Sequence, residues 1–271
     1  MIGFILAAGF GTRLKPITDT VPKALVPVCG EPLLAHNLRT LHKSGVFSAI
    51  GVNSHYLHEQ MERFQKRSTV PFTLFHEADK IRGTGGALDF ARSFLSGDEA
   101  FLIANVDILH KFDIAELSAR FMRSGRICSL VAVPVVEGRG TIIYDGVIGD
   151  YLGVPVKDGE KEKSQNQSQN LFMGTGDTPV TPLLKPIYPK THILKQDTGG
   201  NFTTADFTGV AFYRREFLDY VTADDFSIIP IWQRAADAGN VPGILIPDPS
   251  ASWWMDIGTH EALAEIEKEW N

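Results

Sequence analysis

The sequence predicts an α/β chain of three layers (α/β/α), with helices on both faces of a mixed, mostly parallel central sheet and a small subdomain carried by the second half. Three observations lead there. Short apolar runs alternate with segments of helical periodicity from residue 2 to about residue 135, a spacing that builds βαβ units with parallel strands. The alternation stops near Val136 and order resumes around Asp206. The 271 residues, 44% hydrophobic and 21% charged, supply enough apolar chain for one sizeable core. A single domain over 1–271 is expected, divided into a first half at 1–135 and a second at 136–271.

Residues 2–8 read as a buried strand. Residues 32–44 read as a helix: Leu34, Leu38 and Leu41 share one face, Pro32 suits the first turn and Gly45 the end. A second strand at 49–53 leads into a helix over 55–67. A short third strand at 72–75 leads into a helix over 84–95 with Leu88, Ala91 and Leu95 inward. A fourth strand at 101–105, a helix at 114–122 and a fifth strand at 129–135 complete the alternating part. Beyond it, 140–144 and 145–151 suggest a hairpin. Residues 157–170 are polar and low in complexity, as expected of a flexible surface insertion. A strand at 206–213, a helix at 227–237 and strands at 241–246 and 253–257 follow. A last helix starts at His260, with Thr259 as its N-cap.

Lys plus Arg number 26 and Asp plus Glu 32, a formal net charge of −6. Such a balance argues against general binding to nucleic acid or an anionic membrane, both of which select basic surfaces. The two cysteines, Cys29 and Cys128, are too few for a disulfide framework or a Cys-rich zinc site and suit a reduced, cytoplasmic setting. The apolar run at 2–9 has no basic segment before it and ends at a glycine turn, so no secretory signal is expected. No stretch reaches the ~18–20 apolar residues of a membrane span. His58-Glu59, His76-Glu77 and His260-Glu261 each lack the second histidine of a zinc-protease helix, and no G-x-S-x-G elbow occurs.

The first strand ends in Leu6-Ala7-Ala8-Gly9-Phe10-Gly11-Thr12-Arg13-Leu14, and Pro22-Lys23-Ala24-Leu25 follows. Small residues and two glycines let the backbone approach a ligand, and successive N–H groups in such a turn form an anion-binding concavity. From Gly9 to Lys23 the charged residues are Arg13, Lys15 and Lys23 against Asp19 alone. This is a phosphate cradle of neither common type: Leu14 stands where the dinucleotide fingerprint needs its third glycine, and no G-x-x-x-x-G-K-[ST] occurs. A second glycine-rich segment, Gly83-Thr84-Gly85-Gly86-Ala87-Leu88, opens a helix and suits a base edge or a phosphate. Asp107 follows a buried strand and Asp256 lies near a C-terminal one; two carboxylates brought together would suit Mg²⁺, which takes its remaining ligands from water and phosphates.

These motifs resemble those of the sugar-1-phosphate nucleotidyltransferases, or nucleotide-sugar pyrophosphorylases. Their signature is a strand running into L-A-A-G-x-G-[ST]-R-[LM], followed by P-K-[AP]-[LM]. The resemblance holds through about residue 135. It returns in Phe207-Thr208-Gly209-Val210-Ala211-Phe212-Tyr213 and in Trp254-Met255-Asp256-Ile257-Gly258-Thr259. It implies a Rossmann-like fold in short form, without a C-terminal β-helix domain. It also implies transfer of a nucleotidyl group from an NTP to a sugar-1-phosphate with release of pyrophosphate. By resemblance, Arg13 and Lys23 are catalytic. Leu6, Ala7, Ala8, Gly9, Gly11, Thr12, Gly85, Gly86 and Asn105 bind the nucleotide. Gly140, Thr208 and Gly209 bind the sugar, and Asp107 and Asp256 bind the metal, Mg²⁺.

The GTGGAL segment looks most like the guanylyl and uridylyl members. This implies GTP with mannose- or heptose-1-phosphate, or UTP with an amino-sugar-1-phosphate such as N-acetylmuramate-1-phosphate. Asn105-Val106-Asp107 replaces the commoner Asn-Gly-Asp and leaves the ligand in place. The Glu-Lys-Pro by which many members grip the sugar is absent. Val154-Pro155-Val156-Lys157-Asp158-Gly159 stands there, with Lys157 as a substitute candidate. A phosphocholine cytidylyltransferase shares the front half, and a non-catalytic regulatory relative would have lost Arg13, Lys23 or one of the aspartates. A glycosyltransferase would show an Asp-x-Asp motif in place of Asn105-Val106-Asp107. The expected partners are small-molecule substrates, with homo-oligomerisation left open.

Overall fold

The first strand, β1 (Ile2–Leu6), contains no polar residue, as a strand covered by helices on both faces requires. The computed structural model describes residues 1–134, 141–145, 149–153 and 202–269. After β1 come β2 (Pro27–Val28), β3 (Glu31–Pro32), α1 (Leu33–Ser44), β4 (Ala49–Ser54), α2 (His58–Gln65) and β5 (Thr73–His76). Then follow α3 (Gly83–Phe90), α4 (Arg92–Leu95), β6 (Ala100–Asn105), β7 (Ile108–His110), α5 (Ile114–Ser124) and β8 (Cys128–Pro134). The second half contributes β9 (Thr141–Asp145), β10 (Asp150–Gly153), β11 (Phe202–Arg214), α6 (Ile229–Asp237), β12 (Gly243–Leu245), β13 (Trp254–Asp256) and α7 (His260–Glu269).

Among the described residues the main sheet has the order β5-β4-β1-β6-β11-β8-β12-β10-β9. Strands β5, β4, β1 and β6 run parallel, and β12 runs parallel to β8. The sheet is mixed, as expected, but its antiparallel share exceeds what the strand–helix alternation predicts. The cause is β11. It inserts antiparallel between β6 and β8, and the hairpin β9–β10 adds further antiparallel pairs. Strand β11 also changes partner: Val210 to Arg214 pair with β6, whereas Phe202 to Asp206 pair with β9. The register shifts between Phe207 and Ala211, and Gly209 sits in this bulge with φ +77°.

Alternation along the strands separates two cores. Ile2, Phe4, Phe101 and Ile103 pack with Leu88, Ala91 and Leu95 and with Ile231, Trp232 and Ala235, so α3, α4 and α6 cover one face. Ile5, Leu102 and Ala104 pack with Leu34, Leu38, Leu41, Met61, Leu117 and Phe121, so α1, α2 and α5 cover the other. The three expected layers are present. The predicted helix over 84–95 is two helices, because the chain leaves α-helical geometry at Ala91 (φ −95°, ψ 10°). Thr259 caps α7 as expected, its hydroxyl accepting from Ala262 N–H at 3.2 Å. Gly140 and the polar segment 157–170 lie outside the described residues.

A third cluster holds the parts of the chain that matter most below. Leu14, Val26, Val28, Leu33, Leu109, Ile257 and Ile266 are all buried together. They join the loop after β1 to the two-stranded ribbon β7–β13, in which Asp256 pairs with Ile108 and Trp254 with His110. His110 ends β7, stacked on Phe112 at 4.5 Å, and its Nδ1 accepts the Phe112 N–H at 3.2 Å. Burial lowers its pKa to about 4, so the native imidazole is neutral. The unfolded chain takes up a proton near pH 6.5, which the native fold refuses until about pH 4. Stability should therefore be complete above pH 6.5 and fall by on the order of 2–3 kcal/mol as the pH drops through that window. Denaturant titrations at pH 7 and pH 4.5 check this: His110→Asn, which keeps an acceptor for Phe112 N–H, should flatten the difference.

Candidate active site

The loop after β1 is held from three sides. Ala7 and Ala8 are buried, whereas Gly9, Phe10, Thr12 and Arg13 are exposed. Leu14 is fully buried in the third cluster and anchors the loop where a dinucleotide fingerprint would have glycine. Gly11 is left-handed (φ +65°), and its carbonyl accepts the Thr18 hydroxyl at 2.8 Å. A Cβ there would lie 2.9 Å from both Lys23 Cβ and Thr18 Cγ2, so only glycine lets the lysine turn pass this close. Arg13 and Lys23 thereby reach one side of the sheet, at the carboxyl ends of β1 and β6, where open α/β sheets bind ligands.

The four charged residues expected to act together do converge. The Lys23 ammonium donates to Asp107 Oδ2. Arg13 Nη2 lies 4.0 Å from Asp107 Oδ2 and 3.9 Å from Asp256 Oδ2. The ribbon explains this meeting of residues far apart in the chain: Ile257 N–H donates to the Asp107 carbonyl at 2.8 Å, directly beyond the β7–β13 ladder. Burial alone would push the Asp107 carboxyl up, but the Lys23 ammonium and, more weakly, Arg13 hold it below the ordinary aspartate value. Arg13 is 44% exposed, so its two long ion pairs add little stability. Their consequence is position: a guanidinium poised over two carboxylates at the mouth of a glycine loop. Two carboxylates and no third His, Cys, Asp or Glu ligand among the described residues make an incomplete cage. That donor set fits a hard cation completing its shell with water and phosphate oxygens.

The glycines of the second segment serve a purpose the sequence does not announce. They pack against the backbone of Asp225, Phe226 and Ser227. A Cβ on Gly83 would overlap Phe226 O, and Cβ atoms on Gly85 and Gly86 would lie 2.7 Å from Ser227 O and Asp225 O. Gly85 N–H donates to Phe226 O at 2.9 Å, and Thr84 Oγ1 accepts Ile228 N–H at 2.9 Å. The first turn of α3 is thus a seam to the segment before α6, with the exposed Phe226 ring at its edge.

Two residues absent from the sequence-based candidates link the glycine loop after β1 to the start of α3. Ala7 N–H donates to Asn53 Oδ1 at 2.6 Å, and Asn53 Nδ2 donates to Glu77 Oε1 at 2.7 Å. The second carboxylate oxygen, Oε2, accepts Arg82 N–H at 2.8 Å, immediately before Gly83. Glu77 has no exposed surface, and Asn53 has almost none. Burial raises the Glu77 pKa, against hydrogen bonds from Asn53 and Arg82 that favour the carboxylate. The available signal was Asn53 near the end of the apolar strand β4, where a buried polar side chain needs a partner.

On the far side, Asn105 and Gly209 are neighbours: a Cβ on Gly209 would lie 2.9 Å from Asn105 Nδ2. Thr208 is fully buried. Its hydroxyl donates to Val131 O at 2.8 Å, which replaces a ladder bond lost at the bulge, and its carbonyl accepts Trp254 Nε1–H at 3.0 Å. Trp254 thus packs beside the site strands. No helix among the described residues is long and apolar enough to cross a membrane.

The chain is similar over part of its length to enzymes of known activity. The mannose-1-phosphate guanylyltransferase catalytic subunit beta of Danio rerio is 34% identical over 155 residues, 55% of this chain and 43% of that protein. A mannose-1-phosphate guanyltransferase of Saccharomyces cerevisiae is 32% identical over 151 residues, 54% of this chain and 42% of that protein. The matching stretch thus spans less than half the length of these relatives. Among solved structures, HddC from Yersinia pseudotuberculosis complexed with GMP-PN superposes with a TM-score of 0.68 at 17% identity, covering 100% of this chain and 99% of that one. The inositol-1-phosphate CTP transferase of T. maritima superposes with a TM-score of 0.67 at 14% identity, covering 98% and 96%. Both share the fold. Residues 2–144, more than half the chain and including the glycine loop, Lys23 and Asp107, match the nucleotidyl transferase family, and the chain belongs to that family.

Proposed function

We propose that this protein transfers a guanylyl group from GTP to a sugar-1-phosphate, with mannose-1-phosphate the leading acceptor, and releases pyrophosphate. The observation that carries the reading is the convergence of Arg13, Lys23, Asp107 and Asp256 at the mouth of the Gly9–Gly11 loop. The acceptor phosphate is already ionised at neutral pH, so in-line attack on the α-phosphorus needs no general base. Catalysis then reduces to positioning and to neutralising charge as it develops. The backbone from Leu6 to Thr12 would cradle the triphosphate, with Arg13 on the departing pyrophosphate and Lys23 bridging the attacking and α-phosphates. Asp107 and Asp256 would hold Mg²⁺, whose charge offsets that of two anionic reactants. Gly85, Gly86 and Asn105 would shape the base and ribose side, and Thr208 and Gly209 the sugar side.

The choice of GTP rests on the mannose-1-phosphate guanylyltransferases similar to about half of the chain. The matches cover only about half of the chain, and Glu-Lys-Pro is absent, so a heptose-1-phosphate belongs in the test. The experiment is a matrix of GTP, UTP, CTP and dTTP against mannose-1-phosphate, a heptose-1-phosphate, N-acetylmuramate-1-phosphate and phosphocholine, with Mg²⁺. Pyrophosphate release is the readout. The expected result is turnover with GTP and a sugar-1-phosphate. Turnover confined to CTP with phosphocholine would replace this reading, and silence in every pair would point to a regulatory relative.

A further inference from the structure

We infer that Glu77 is a positioning residue that sets the glycine loop after β1 and the glycine-rich first turn of α3 in register for the nucleotide, acting through Asn53 on one and through Arg82 on the other. The inference rests on the reading that both glycine-rich segments line the nucleotide site. Its basis is a hydrogen-bond chain in which every polarity is fixed. Ala7 N–H can only donate, so it orients the Asn53 amide with Oδ1 towards the loop after β1 and Nδ2 towards Glu77. Nδ2 donates to Oε1 of Glu77, and Arg82 N–H donates to Oε2. The carboxylate therefore stands between two donors, Asn53 Nδ2 at the end of β4 and Arg82 N–H just before α3. The surrounding bonds pin Glu77 itself: its N–H donates to Ser54 O at 2.8 Å, and its carbonyl accepts from His55 Nδ1 at 2.6 Å. Ends of β4 and β5, the tip of β1 and the start of α3 are tied at one fully buried side chain.

The polarity makes a swap experiment possible. Glu77→Gln keeps the shape but brings two donors face to face, whichever way the two amides turn. Asn53→Asp together with Glu77→Gln restores every bond. The carboxylate introduced at position 53 accepts from Ala7 N–H and from the NH₂ group of the amide introduced at position 77. The oxygen of that amide accepts from Arg82 N–H. GTP binding with Mg²⁺ is measured by calorimetry without acceptor, and KM is measured for each substrate, with thermal melts as a folding control. The expected result for Glu77→Gln is GTP affinity weakened roughly tenfold or more, with the KM of the sugar phosphate unchanged. The double variant should bind GTP markedly tighter than the single one. Equal rises in both KM values, unchanged GTP affinity, or a double variant no better than the single one would overturn the inference. If Glu77→Gln alone does not fold, the double variant must still fold and bind GTP, and its failure to do so overturns the inference as well. Failure of wild type to bind GTP would instead overturn the proposed function.

Discussion

Lys23→Ala and Asp107→Ala should each lower kcat by ~10²–10³, the range for removing one preorganised charge from a transition state. Lys23 is the sharper case. Its ammonium is nearly buried, donates to Asp107, and is held there by the tight passage beside Gly11. Removing it takes away the bridging cation and also the main influence keeping the partly buried Asp107 carboxyl ionised. The two losses should therefore overlap, and the loss in the double variant should be far less than the product of the singles, as for groups in direct contact. Steady-state pyrophosphate release on the three variants checks this, with circular dichroism as the folding control. Near-normal turnover in both single variants would remove these residues from the chemistry.

Gly258→Ala is the second large effect, and it acts without deleting any functional atom. A Cβ on Gly258 would overlap the Arg13 guanidinium, with Cζ at 2.7 Å, and would lie 2.7 Å from Asp256 Oδ1. One methyl group would thus push Arg13 off the carboxylates it faces. Arg13 is partly exposed and has room to move outward, so the fold should survive while kcat falls by about 10², the order that misplacing a group by ~1 Å can cost. The same assay on Gly258→Ala and Arg13→Ala is decisive: the two should be similarly slow, and their combination little slower than either. Full activity in Gly258→Ala would mean that the observed position of Arg13 is not the working one.

The contrast between Gly258 and Leu14 indicates what was legible beforehand. Leu14 breaks the dinucleotide pattern in plain view, and its burial in the third cluster accounts for that break. The parallel half of the sheet was equally readable, because long apolar strands and amphipathic helices repeat with regular spacing. The ribbon β7–β13 was half hidden. Three-residue strands carry too little periodicity to reveal that Ile108 pairs with Asp256, and β7 gives no strand signal of its own. The larger antiparallel share has a similar origin, since a change of partner within β11 depends on a bulge and not on local propensity. Asn53 and Glu77 went unread for a different reason. His76-Glu77 invites comparison with a zinc motif, and nothing in the spacing from 53 to 77 says that an amide and a carboxylate meet in the interior.

The most direct measurement follows the phosphorus atoms. GTP labelled at the α-phosphate or at the γ-phosphate is incubated with Mg²⁺, mannose-1-phosphate and the protein, and the products are separated. Nucleotidyl transfer predicts that the α-label leaves with the sugar and the γ-label with pyrophosphate, and that Lys23→Ala slows both in parallel. Label from the α-phosphate in free GMP or GDP, or no transfer to any sugar-1-phosphate, would contradict it.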